Sequence, residues 1–242
     1  MTRIISMSLR IVWAAYPDSA RISLAAQIFV SAGVILLFAI NNVFSQRILR
    51  SCASSLGWNR IVSWGFIFLY FTIPATLAIL ITSIVQIYHT LDRSIIAIDI
   101  SMQRFGLTYY LIVCFMPFLT MAVALASSGK SPVDHFGVGS IHKKMAMLAL
   151  FTALLTIGAA WRTSNVWRDR RSFDRSTPWY LSRAAFYIFN FTLELFVVYL
   201  YALFRVDKVF HIPDGARGPG SYGRTLDKAD DSPSTHKEQS PS

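Results

Sequence analysis

One acidic residue sets the terms for this chain. The stretch AAFYIFNFTLELFVVYLYALF, Ala184 to Phe204, is a long apolar run with one charged residue, Glu194, at its centre. At 1.5 Å per residue the stretch makes a helix of roughly 31 Å, about the thickness of a bilayer's hydrocarbon core. An acid at that depth costs about 2.5 to 3.5 kcal/mol on insertion scales. Each Phe, Leu, Ile or Val offsets roughly 0.3 to 0.6 kcal/mol of that, and twelve such residues flank Glu194. The helix is therefore expected to insert, and its carboxyl group then requires a polar neighbour or a water-lined interior.

Turned at about 100° per residue, the same helix brings Arg183, Tyr187, Asn190, Glu194, Tyr201 and Arg205 within about 60° of one another, and the opposite face is almost wholly apolar. Lipid satisfies no hydrogen bond, so the seam is expected to face other helices or a cavity. Three readings follow. Asn190 and Glu194 join helices by interhelical hydrogen bonds, or they belong to a ligand, ion or proton site, or Glu194 is an uncharged acid without a partner.

Composition places the whole chain in the same class. With 54% hydrophobic and only 15% charged residues, it is a membrane chain rather than a soluble domain. The formal charge of +10 would suggest nucleic acid in a soluble protein. Here Lys and Arg lie between the apolar runs, where they meet headgroups and set topology, so no nucleic-acid partner is expected.

The expected architecture is all-α: a polytopic transmembrane helix bundle of five full spans plus a partial N-terminal helix, within a domain covering residues 1–210. The partial helix, 4–16, is too short to cross a bilayer. It is read either as an amphipathic interfacial helix or as a truncated span. Pro17 and Asp18 break it. The spans are 22–45, 61–89, 106–126, 145–161 and 184–204. Gln27 lies on the polar face of the first. Pro74 and Pro117 are expected kinks in the second and third. The stretches 90–105 and 162–183 read as charged loops, and residues 211–242 as a polar, disordered tail. Lys and Arg number ten on one side of these spans and eleven on the other, so charge alone does not orient the chain.

Four stretches carry a family resemblance: YIFNFTLELFVVYLYALFRVDKVFHIPDGARGPGSY, and earlier RIVWAAYP, LAAQIFVSAGVILLF and FSQRILR. They resemble an uncharacterised family of fungal seven-helix membrane proteins, whose members are often labelled class C-like G-protein-coupled receptors. The chain is also distantly similar to the fungal lipid-translocating exporter family, which likewise ends in an aromatic-rich helix. The resemblance implies seven helices with Met1 inside the second, so that the five spans are the remnant of that architecture. It also implies a cytoplasmic tail. With the missing half of that helix restored, Arg10 would lie deep enough to pair with Glu194.

Enzymatic chemistry finds no support: there is no H-E-x-x-H and no G-x-S-x-G. His135 and His142 lack a carboxylate at ligand spacing, and the final helix has no lysine for a Schiff base. Gly129, Lys130 and Ser131 resemble the end of a phosphate-binding loop, but Ala124 stands where that motif needs glycine. No cofactor or metal is expected. The expected function is an integral membrane protein, receptor-like, with a polar interior seam centred on Glu194. The alternatives are a lipid or small-molecule translocator and a non-catalytic membrane scaffold. The candidate binding residues are Glu194, Asn190, Tyr187, Tyr201, Arg10 and Gln27. The expected partners are the bilayer and a small-molecule or lipid ligand, in a multi-pass membrane location.

Overall fold

The computed structural model describes residues 2–16, 19–127, 136–168 and 182–212, together with Gly218 and Tyr222. Every regular element among them is helical. In chain order these are α1 (Thr2–Ala15), α2 (Ala20–Cys52), α3 (Ser54–Gly57), α4 (Arg60–His89), α5 (Arg93–Ser127) and α6 (Ile141–Trp167). The last span starts as α7 (Arg183–Tyr187), passes through a π-helical turn (Ile188–Thr192) and continues as α8 (Leu193–Leu203). A short α9 (Val206–Val209) follows. Five helices are long and apolar enough to cross a membrane, so the chain is a multi-pass membrane protein.

The helices run past the apolar segments that announce them. The segment 22–45 continues helically to Cys52, the third span begins at Arg93 rather than 106, and the fourth extends from Ile141 to Trp167. Apolar residues mark where a helix meets hydrocarbon. The backbone hydrogen bonds that define the helix continue into the interface, where polar side chains are solvated. Arg47, Arg50, Arg104 and Arg162 are therefore helical residues, not loop residues.

α2 lies at the centre, packed against α1, α4, α5 and α6; α5 also packs on α4 and α6, and α6 on the last span. The core between them is built from Phe38 and Ile48 of α2, Tyr110 and Val113 of α5, Leu148 and Phe151 of α6 and Val197 of α8. The outer faces are apolar too. Ile61, Trp64, Phe68 and Phe71 are exposed on α4 at the three- and four-residue spacing of one helical stripe, as a lipid-facing surface requires.

Prolines and asparagines meet inside this core. Pro117 has no N–H, so the Val113 carbonyl four residues back loses its helical partner. Asn42 Nδ2 of α2 donates to that carbonyl at 3.0 Å and to its own helix at Phe38 O at 2.9 Å. The adjacent Asn41 is also shared between helices. Its Nδ2 reaches Thr152 Oγ1 on α6 at 3.5 Å, and its Oδ1 accepts from the Tyr201 hydroxyl on α8 at 2.5 Å.

One end of the bundle is closed by packed aromatic rings. Phe210 stacks on Phe44 at 4.4 Å, and Tyr222 sits between Trp58 and Phe136. Tyr222 falls in the segment read from sequence as a disordered tail, yet it is buried against these two rings. Two cations support this closure through backbone carbonyls. Arg47 donates to Phe210 O, and buried Lys144 donates to Phe136 O beneath that residue's ring. Gly137 makes the closure possible, since its φ is +53° and a Cβ there would collide with Val209 O.

Candidate functional site

The last span does not keep a single α-helical register. At the π turn the Leu193 N–H bonds to Ile188 O, five residues back. A π turn accommodates one extra residue, so side chains before it are turned by roughly one residue's 100° relative to a continuous α-helix. Tyr187 and Glu194, seven residues apart, would share a face without it. With it, Glu194 and Asn190 are buried and Tyr187 is exposed, its ring against Phe186 and Phe191. Tyr187 thus leaves the predicted seam. Gly158 of α6 allows the close approach here, since a Cβ on it would lie 3.0 Å from Phe189 O in the π turn.

The polar neighbour that Glu194 requires is Arg162, near the end of α6. Arg162 Nη2 donates to Glu194 Oε1, and Nε of the same guanidinium donates to Asn190 Oδ1. Asn190 Nδ2 donates in turn to Phe186 O at 3.1 Å. The side chains of the ion pair are 14% and 4% exposed, so the pair is desolvated and its two charges must balance each other there. Arg10 is helical in α1, but its side chain lies outside the described residues, as does His135.

Arg162 and Asn190 form one wall of a half-open cavity of about 240 Å³ between α2, α4, α5, α6 and the last span. The order of residues along the helices grades its lining. Gln27 and Ser31 of α2, Gln103 of α5 and Asn165 of α6 lie nearest the ends of the helices on one side of the bundle. Further inward the lining is Val34, Phe38, Leu80, Tyr110 and Ala159, with Trp161 and Phe186 beside the arginine. The side-chain amides of Gln27, Gln103 and Asn165 make no hydrogen bond to the protein. On the α5 face that carries Gln103, one turn nearer the helix start, Asp99 is buried with its Oδ2 unbonded, outside the cavity lining.

The residues singled out from sequence thus separate. Glu194 and Asn190 share Arg162, Gln27 lies at the cavity rim, and Tyr201 lies deeper, bonded to Asn41. Three further polar lining residues, Gln103, Arg162 and Asn165, were hidden in stretches read as loops. For Arg162 the signal was phase: Leu155, Ala159 and Arg162 continue one face of α6 at four- and three-residue steps. Among the described residues no group of His, Cys, Asp and Glu could hold a metal ion.

No curated protein and no solved structure matches the chain. Residues 137–211, which include α6, the last span and therefore Arg162, Asn190 and Glu194, match a family described as a protein of unknown function (DUF3112).

Proposed function

We propose that this chain is a receptor-like integral membrane protein that holds a small ligand in the cavity between α2, α5, α6 and the last span. The observation that carries the reading is the set of amides at the rim. Gln27, Gln103 and Asn165 line the cavity with amides that make no hydrogen bond to the protein, so their donors and acceptors are open to what enters it. The ion pair would couple ligand to fold, since Arg162 lines the cavity and grips the last span through Asn190 and Glu194.

A translocator is the second reading, and it draws on a different observation. Polar side chains continue inward from the cavity through Thr156 and Cys114, then Thr152, Asn41 and Tyr201, towards the closed end. A headgroup could follow such a track.

Two measurements on the purified full chain separate these readings. The first follows Trp161 fluorescence during titration with a panel of lipid-soluble compounds, using the Trp161→Phe protein as blank. The second follows movement of fluorescent phospholipid between leaflets of reconstituted vesicles. A saturable Trp161 response that Arg162→Leu abolishes, without lipid movement, supports the receptor-like reading. Lipid movement lost in Glu194→Gln supports the translocator. Absence of both leaves a scaffold and overturns the proposal.

A further inference from the structure

The lining of the cavity specifies the chemistry of the head that its ligand carries. Arg162 is the only ionisable Lys, Arg, Asp or Glu among the described lining residues, and its charge is already matched by Glu194 behind it. An acidic head would place two carboxylates on one guanidinium, and an amine would place a second cation beside it. Either sets a further charge beside the pair. An uncharged head disturbs neither partner of the pair.

The rim then narrows the choice among uncharged heads. An amide side chain offers both N–H donors and a carbonyl acceptor, and three such side chains stand there with neither in use on the protein. A hydroxyl, which donates one hydrogen bond and accepts two, uses both kinds of group at once. Inward of the rim the cavity turns to Val34, Phe38, Leu80 and Tyr110, a surface that suits hydrocarbon. The volume sets the scale of the part held inside. A cavity of about 150 Å³ holds benzene, so about 240 Å³ holds on the order of ten non-hydrogen atoms.

We infer that the cavity takes an uncharged, hydroxyl-bearing amphiphile, its hydroxyl among Gln27, Gln103 and Asn165 and about eight carbons of its chain directed inward between α2, α4 and α5. This rests on the reading of the cavity as a ligand site and adds the class of ligand. The same head chemistry is offered by a free alcohol and by a monoacylglycerol.

The test uses the full chain in phosphatidylcholine nanodiscs and an octanol carrying a photoreactive diazirine. Labelled peptides are mapped by mass spectrometry, with competition by 1-octanol, 1-octanoylglycerol, octanoate and octylammonium. Labelling is expected on the α2, α5 and α6 cavity peptides. One or both of the neutral competitors should displace it at concentrations at least about tenfold below those of the charged pair, and the stronger neutral competitor identifies the source. In the Gln103→Leu/Asn165→Leu protein the octanol concentration required should rise about tenfold or more. The wild-type competition series decides the matter even if that variant does not fold. Cavity labelling displaced equally well by octanoate or octylammonium overturns the neutral head and leaves the ligand site standing. Absence of label from the cavity peptides overturns the ligand site and this inference together.

Discussion

The guanidinium of Arg162, near the end of α6, bonds both Glu194 and Asn190 of the last span, so one side chain holds together two of the polar residues that the span carries into the bundle. Such a pair does not by itself add much stability, because desolvation offsets the attraction; breaking it is costly, because one charge is left buried alone. Arg162→Leu and Glu194→Leu should each lower unfolding stability by about 3–5 kcal/mol. The double replacement should cost clearly less than the sum of the two, as measured by a thermal or denaturant double-mutant cycle in detergent. Additive losses would show that the two groups do not act as a pair.

Asn42 completes a hydrogen bond that Pro117 prevents α5 from making for itself. Asn42→Leu should therefore destabilise by about 1–3 kcal/mol, the cost of leaving a buried carbonyl without a partner. In a Pro117→Ala background the restored N–H can serve Val113 O, and the same substitution should cost markedly less. An unchanged cost in that background would remove the proline from the explanation.

Gly137→Ala tests the closed end of the bundle. The residue needs a left-handed φ, which costs an ordinary residue about 1–2 kcal/mol, and its Cβ would collide with the Val209 carbonyl. The packing of α9 should loosen, and limited trypsin digestion should cut after Lys208 several times faster than in the wild type. Unchanged digestion would show that α9 is held elsewhere.

The start of α5 should respond to acid. Asp92 Oδ1 accepts from the Ser94 hydroxyl at 2.7 Å and from the Ser94 N–H at 2.9 Å, and these bonds, the hydroxyl's first, hold the carboxyl pKa below its ordinary value. A lowered folded-state pKa means the cap contributes fully above the usual Asp value of about 3.9 and is lost as pH falls through the folded value. The protection of the Ser94 amide against exchange, relative to a free peptide, should fall across that acidic window and stay level above it. In Asp92→Asn the step should vanish.

How far the sequence speaks for this fold depends on which physical signal each element leaves. Hydropathy is a signal about lipid, and it located all five spans. It is silent where a helix emerges from lipid, so Arg162, one residue beyond the apolar run ending at Trp161, was read as a loop residue although α6 continues to Trp167. Glu194 and Asn190 could be read as interior because burial of a polar side chain in an apolar helix has few solutions. Tyr187 could not be placed, since the π turn alters the register by an amount that no hydrophobic period records. Gln103 and Asn165 reach the cavity only through the relative placement of α5 and α6, which is a tertiary fact.

That turn has a mechanical consequence. The last span stores one residue more than a straight α-helix of the same rise would hold, so its two halves are phased independently, like two lengths of rod joined by a swivel. A span that released the extra residue would rotate its outer half by about one residue's angle, swinging the Tyr187 ring towards the interior.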